Sequence, residues 1–584
     1  MAAALCGASV AATSTQVEIS APSASKDLLA TLKSASLLVS TEAAGNANAQ
    51  DLFAAARADY GRLVGALYGA GYYGPVVHIL IDGREASGIA PLDAPRQIKA
   101  IRVEVVPGPA FRFGTAQIAP LAPGTKLPDG FRTGAPAPSG MIEGAVGAAV
   151  LGWRDVGHAK AKAAGQKIVA DHRTSTLDAQ VTIVPGPAVT LGQLVVTGTS
   201  KVRRSRILAI AGFPTGTPYT PKKVETAANR LRRTGTFSSV ALSEADTLGP
   251  GDTLDVTAAV VDQKRRRLGF GAAISSSEGA SLTTYWMHRN LLGGAEQFRI
   301  DAEVDGIAAQ TGGLSYKLSA RLDRPATFNP DTSLYILGLI QRQNLTDYSA
   351  DTLTLGTGLT RIVGDHLTLR YGLGFDSERV TDTTGVTAFR DVTLPLGATW
   401  DNRDNPLDAH RGAYVDLGLM PFVGFGGTGT GAQLKFDARG YRPLGQRVVL
   451  AARFQIGAIL GAALASTPRD YLFYSGGGGT VRGQPYQSLG VYALSATQRS
   501  GGRAFMGLSG EVRTHVTKTI GLVAFYDAGY VGADSFSSGT WQAGAGLGLR
   551  YDTGIGPIRL DVAMPVSGST GKGVQLYLGI GQAF

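Results

Sequence analysis

Residues 540–551 read TWQAGAGLGLRY, and the fold turns on how this stretch is laid out. Trp541, Ala543, Ala545, Leu547, Leu549 and Tyr551 hold one parity, while Thr540, Gln542, Gly544, Gly546, Gly548 and Arg550 hold the other. Apolar residues at every second position give an extended strand one oily face and one wet face. The pattern continues downstream in Ile558, Leu560, Val562 and Met564 against Arg559, Asp561, Ala563 and Pro565, and in Val574, Leu576, Leu578 and Ile580 against Gln575, Tyr577 and Gly579. Upstream it recurs in Phe298, Ile300, Ala302 and Val304, in Leu314 to Leu322, and in Leu367 to Phe375. From about residue 267 onward there are roughly sixteen such runs, set apart by Gly, Asp, Asn and Pro.

The charged residues on the wet face decide which way the strands face. A soluble barrel of this many strands would turn its apolar face inward and could not fill so wide a lumen, whereas lipid accepts an apolar exterior around a polar, watered interior. Tilted runs of about 9 to 11 residues cross the hydrocarbon layer. Closure also satisfies every backbone donor and acceptor, as hydrocarbon demands. Residues 264–584 are therefore expected to form an antiparallel transmembrane β-barrel of sixteen strands in the outer membrane of a Gram-negative bacterium.

The front of the chain is built differently. VVPGPAFRFGTAQI around Pro107 recurs as IVPGPAVTLGQLVV around Pro185, and a third block of similar length ends at Val260 and Val261. Self-similarity at a fixed period signals stacked modules. Each is expected to be β-α-α-β-β, at 16–108, 109–187 and 188–263, giving α+β repeats ahead of an all-β portion. In the third, Leu194 to Val196 reads as a strand, Arg203 to Ala211 as a helix, and Thr220-Pro221 as the start of a second helix that Gly235 ends. In the first, Phe53, Ala56, Tyr60, Leu63, Val64 and Leu67 share one helical face, and Gly71 precedes a strand from Val76 to Ile81. The second carries the Pro-rich insert APAPSG near Pro136. Residues 1–15 resemble the apolar core and small-residue end of a secretory signal without its basic start.

Composition excludes several classes. Gly accounts for 79 of 584 residues, about twice average usage, without a collagen period. No apolar run reaches the roughly 18 residues of a spanning helix. The lone Cys6 allows no internal disulfide and no cysteine-based zinc site. The net charge of +10 is spread singly, which argues against nucleic acid as a partner. The exception, Lys264 to Arg267, reads as a solvated run at a domain junction, or as a contact for lipid headgroups.

Three such repeats ahead of this barrel resemble POTRA domains preceding an outer-membrane assembly-factor barrel. The segment GGGGTVRGQPYQSLG (476–490) is similar to that superfamily's loop motif through Val481, Arg482 and Gly483. WDNRDNPLDAHRGAYVDLGL (400–419), FYDAGYV (525–531) and GPIRLDVAMPV (556–566) resemble further family segments. A count of three modules is similar to the TamA branch. The resemblance departs at Gln484, where the family usually carries an aromatic. It implies that Arg482 is held by acids on the barrel strands, carrying that role to Asp527 and Glu511. It also implies a TamB-like periplasmic partner, unfolded outer-membrane protein clients, and no cofactor.

Physical reading runs alongside. About 44 residues, Leu460 to Arg503, separate two runs, too many for an idle hairpin. Such a loop can fold into an open lumen, where a guanidinium needs carboxylate partners. The barrel would close between its first run (Leu268 to Ser275, with Gly269, Phe270 and Gly271) and its last (Val574 to Phe584, with Gly579 and Gly581). Glycines weaken a strand, so this seam should open most easily, and its free edge could accept a client strand. The terminal Phe584 resembles the C-terminal signal by which barrels reach their assembly machinery; it also suits an aromatic belt.

Enzyme signatures HExxH and GxSxG are absent, SGSTGKG lacks Walker A spacing, and GFGGTG (424–429) sits between strands as a hairpin loop. His288 and His410 lack paired ligand spacing along the chain and read as ordinary polar residues. No metal site and no enzyme are expected. The competing expectation is a two-partner secretion channel or a passive pore.

Overall fold

The computed structural model describes residues 16–580 apart from 46, 277, 311, 518, 554–556 and 572. The signal-like segment 1–15, Gly581 and Phe584 therefore lie outside the described residues. The chain falls into two compact units. One reaches to Gln193 and includes Pro214–Val224 and Glu244–Val256; the other holds Leu194–Phe213, Glu225–Ser243 and the chain from Thr257 onward.

The first module contains β1 (Gln16–Ser20), α1 (Lys26–Ala35), α2 (Leu37–Ala43), α3 (Ala49–Gly69), β2 (Val76–Ile81), β3 (Arg84–Glu85) and β4 (Ala100–Val106). α3 starts on a capping box between Asn48 and Asp51. It presents Phe53, Ala56, Leu63 and Leu67 to the core, as the spacing predicts. Asp59 of α3 is fully buried, accepting from Ser36 Oγ at 2.6 Å and from the Leu37 and Leu38 N–H groups at 2.7 and 3.1 Å. It thereby satisfies free amides at the start of α2.

The second module contains β5 (Arg112–Ala119), α4 (Ser139–Asp155), β6 (Lys162–Asp171) and β7 (Thr176–Val184). Two helices were expected here, and only α4 occurs among the described residues. The stretch 120–138 contains Pro120, Pro123, Pro128, Pro136 and Pro138, which deny a helix its amide donors and crowd the preceding turn. The irregular segment still fills the core with Phe131 and Ala137. The third block contains β8 (Thr190–Thr197), α5 (Arg204–Ala211), α6 (Pro221–Arg232), β9 (Phe237–Glu244) and β10 (Thr253–Asp262), close to the predicted elements.

The three sheets share one plan. Their orders are β1-β4-β2-β3, β5-β7-β6 and β8-β10-β9, so each block's last strand lies between the others. β1 and β4 run parallel, as do β5 and β7. The repeated Pro-Gly-Pro turns match in detail, with Gly108 at φ 75° and Gly186 at φ 72°. A Cβ on Gly108 would also strike the Gly74 carbonyl oxygen at 2.9 Å, so glycine is required there twice over.

The barrel follows as β11 (Arg266–Ser275), β12 (Gly279–His288), β13 (Gln297–Ile307), β14 (Ser315–Arg324), β15 (Thr332–Asn344), β16 (Ser349–Val363), β17 (Leu367–Asp382), β18 (Gly385–Thr393), β19 (Leu396–Asp401), β20 (Gly412–Phe425), β21 (Gly431–Leu444), β22 (Val448–Leu460), β23 (Ala504–His515), β24 (Ile520–Gly532), β25 (Gly539–Tyr551), β26 (Ile558–Ser567) and β27 (Gln575–Ile580). It is closed and antiparallel. β18 and β19 lie end to end between β17 and β20, so these segments make sixteen staves.

The faces divide as the alternation predicts. On β25, Trp541, Leu547 and Leu549 are exposed, while Gln542 and Arg550 are buried. Inside, charges pair along the wall: Arg299 with Asp301, Arg321 with Asp323, and both Arg439 and Arg453 with Asp437. Below, the near end is the one where β11 begins, and the far end is the one from which the chain 461–503 leaves β22. Lys264 to Arg267 are exposed at the near end, as predicted.

Candidate functional site

The long connection between β22 and β23 is folded back onto the barrel wall and stitched to strands around the circumference. Its first part is held by Glu378 of β17, which accepts from the Arg469 and Asp470 amides at 2.7 and 3.2 Å. Tyr471 donates its hydroxyl to Asp391 at 2.7 Å. The return part is anchored by Arg499, paired with Asp347 at 2.8 Å.

Between these anchors the chain makes a tight turn, with Gly476, Gly477 and Gly483 all at positive φ. The turn presents Arg482, which is 2% exposed. Asp527 of β24 holds it in a fork, with Nε at 2.7 Å from Oδ2 and Nη2 at 2.9 Å from Oδ1, and also accepts from the Arg482 amide at 3.1 Å. Nη1 lies 2.7 Å from Glu511 of β23 and 3.4 Å from Asp561 of β26. The guanidinium carbon sits 3.6 Å from the centre of the Phe525 ring.

Burial opposes the charge on Arg482. The Asp527 hydrogen bonds and the three carboxylates outweigh it and hold its pKa above the ordinary arginine value. The carboxylates are shared with the wall: Arg513 donates to Glu511 at 2.7 Å and Arg550 to Asp561 at 2.5 Å. Three arginines thus meet three carboxylates, and the buried cluster is neutral as a whole. Bidentate, charge-assisted bonds of this kind fix position as well as charge.

Neighbouring residues lock the turn. The Gly483 amide donates to Tyr577 of β27 at 3.1 Å. Any Cβ on Gly483 would meet the Met564 carbonyl oxygen at 2.6 Å, and one on Gly544 would run into the Arg482 carbonyl oxygen. Gln484, at the family's aromatic position, is fully buried and donates to the Ala543 and Ser567 carbonyls, each at 2.9 Å, while accepting from Thr570 at 3.0 Å. An amide here exchanges an aromatic's packing for three hydrogen bonds to β25, β26 and the turn beyond.

The structure thus brings Val481, Arg482 and Gly483 together with Asp527 and Glu511. Sequence reasoning missed Asp561, Phe525, Arg513, Arg550 and Tyr577. Asp561 could have been found, since it is the acid on the wet face of GPIRLDVAMPV. Phe525 and Tyr577 face inward against the simple oily-outside rule.

The seam lies beside this cluster. Among the described residues, β27 pairs with β11 through Leu578 with Ile274 and Tyr577 with Ser275; the Ser276 amide donates to the Leu576 carbonyl at 3.2 Å, and the Ser276 hydroxyl donates to Gln575 Oε1 at 2.8 Å and accepts from the Leu576 amide at 3.1 Å. Gly269, Phe270 and Gly271 pair with β12, opposite Tyr285, Thr284 and Thr283, and have no described partner on β27. Gly579 pairs with Arg559 of β26. The expected pairing of Gly269, Phe270 and Gly271 with the end of the last run lies outside the described residues. Glu278, just past the end of β11, accepts from the Gly478 amide at 3.2 Å, so the inward-folded turn reaches both sides of the closure.

His410 lacks a partner at ligand spacing along the chain, and the fold stacks it on His515, with ring centres 5.6 Å apart.

Comparison with known proteins bears on both halves. The Omp85 superfamily domain matches residues 290–584, and the POTRA family described as a surface antigen variable number repeat matches residues 189–262. BamA from Haemophilus ducreyi lacking POTRA domains 1–3 superposes with a TM-score of 0.62 at 16% identity, covering 80% of this chain and all of that one. CdiB from Acinetobacter baumannii gives a TM-score of 0.53 at 11% identity, over 81% of this chain and 90% of that one. At such identities the likeness concerns the fold alone. With half the chain under the family domain and a POTRA domain ahead of a sixteen-stave barrel, this chain belongs to the Omp85 superfamily.

Proposed function

We propose that the protein inserts other β-barrel proteins, autotransporters among them, into the outer membrane through the seam between β27 and β11. The observation that supports this reading is that the barrel closes between its first and last strands, with Ile274 on Leu578 and Ser275 on Tyr577 among the described residues; a strand edge freed at such a joint can take up an incoming strand by β-augmentation. No nucleotide or metal is required, since each hydrogen bond of the seam is exchanged for one to the client.

The modules 16–108, 109–187 and 188–263 act as three POTRA domains in the periplasm, docking clients or a TamB-like partner along strand edges. Their common strand order supports this assignment, and three modules favour a TamA-type role. The Arg482 turn is a plug and brace: it ties β23, β24 and β26 together while touching both sides of the closure.

The test is reconstitution in liposomes with an unfolded barrel client. Faster folding of the client than in empty liposomes is expected. A client that folds no faster, beside steady porin-like conductance, would favour a passive pore; transport of a soluble partner would favour a secretion channel.

A further inference from the structure

The turn 402–411, which joins β19 to β20 at the near end, is tightly constrained. The Asp404 carboxylate accepts from the amides of Asn405, His410 and Arg411 at 3.0, 3.0 and 3.2 Å, and Asn402 accepts from the Ala413 amide at 2.7 Å. Ala409 is buried against Tyr441, Val449 and Ala451, which draws the turn in toward the wall. Asp408 and His410, two positions apart, are thereby carried to His515, the last residue of β23, although just over 100 residues separate them in sequence.

We propose that Asp408, His410 and His515 form a binding site for a first-row divalent cation, zinc in the first instance. One ligand atom from each residue lies within 4.8 Å of those of the other two. His410 Nε2 is 3.8 Å from Asp408 Oδ2, and His515 Nε2 is 3.5 Å from Asp552 Oδ2. Donors bonded to one tetrahedral zinc ion at about 2.0–2.1 Å stand roughly 3.4 Å apart, so both pairs are near ligand spacing, and the two stacked rings would have to turn and close from within 4.8 Å to share the ion. Asp552, outside this group of three, adjoins His515 as a second carboxylate.

The donor chemistry selects among metals. Two imidazoles with carboxylates suit zinc and its neighbours, whereas calcium and magnesium take all-oxygen shells. The four side chains are partly exposed, between 19% and 42%, which leaves a cation a route in. A bound ion would staple the turn before β20 to the ends of β23 and β25. It would thus brace the near end of the same wall that Arg482 braces from within.

The test uses cobalt(II) as a spectroscopic stand-in and zinc as its competitor, on the untagged full chain in detergent. One equivalent of cobalt should give the intense visible absorption of a four-coordinate site, and zinc should abolish it. Single variants H410A and H515A should each weaken binding about tenfold or more, with D408N also weaker. Each variant's fold is checked by its heat-modifiable gel mobility. Absence of saturable absorption, or binding that persists unchanged in a folded H410A/H515A double variant, would overturn the proposal. Because the readout is spectroscopic, it stands or falls apart from any insertion activity.

Discussion

Two neighbouring stretches of one barrel wall differ in what braces them from inside. β24 and β25 pair continuously from Ile520–Tyr551 to Gly532–Gly539, and the interior face of this wall carries the Arg482 cluster. Just beyond β26, the last strand β27 meets the first, β11, with Leu578 on Ile274 and Tyr577 on Ser275 among the described residues. The Arg482 guanidinium binds acids on β23, β24 and β26 and, among the described residues, none on β11 or β27, so the loop arginine cross-braces the wall beside the closure and not the closure itself. A buried arginine fixed by three acids is costly to assemble and costly to break. Such a brace suits a fixed frame next to a movable joint.

The largest way to break this contrast is to remove the brace. Arg482→Ala takes from Asp527, Glu511 and Asp561 the guanidinium they share, leaving Arg513, Arg550 and Arg559 around them, and should cost about 3–5 kcal/mol. Urea unfolding in detergent, followed by gel mobility, should show it, together with proteolysis within 461–503. Arg482→Lys should lose less, because an ammonium keeps the charge without the fork. Next comes Asp527→Asn, which keeps the shape but weakens three charge-assisted hydrogen bonds, at about 1.5–3 kcal/mol by the same assay.

Gly544→Ala tests the packing under the turn. Its methyl would collide with the Arg482 carbonyl, which is backbone and yields little, so a loss of about 1–3 kcal/mol is expected in the same urea titration.

The smallest effect concerns Asp331, in the turn between β14 and β15. It pairs with Arg230 and Arg233, each at 2.6 Å. Burial raises its pKa, but the hydrogen bonds and charges of the two arginines prevail and hold it below the usual carboxylate range. The stability it contributes is present above the unfolded value of about 3.9 and lost as pH falls through the lower folded value. Partial exposure limits it to about 0.2–1 kcal/mol. Asp331→Asn should lower the melting temperature slightly at neutral pH, and the difference from the parent protein should vanish in strong acid.

Much of this architecture was legible in the sequence because a period of two is a local signal. Leu547 beside Arg550 already tells which face is oily, and Arg482 between glycines in a long loop already calls for buried acids. What could not be read depends on register. Which acids reach Arg482 is set by how β23, β24 and β26 slide past one another: parity alone puts Asp561 on the wet face, and the register is what brings it to Arg482. For the same reason the seam between the first and last runs was legible, but not its register, Ile274 on Leu578 and Ser275 on Tyr577. In the second module, periodicity suggested a second helix where five prolines forbid one. His410 and His515 are joined by an inward-drawn turn, which no spacing along the chain reports.

The most direct test of the account is to lock the joint. Ile274 and Leu578 are paired across the seam, and both are exposed on the outer face, so Ile274→Cys with Leu578→Cys should cross-link on oxidation. With the disulfide formed, the reconstituted protein should lose its acceleration of client folding, and reduction should restore it. Client folding that proceeds equally fast through a fully cross-linked seam would contradict the account.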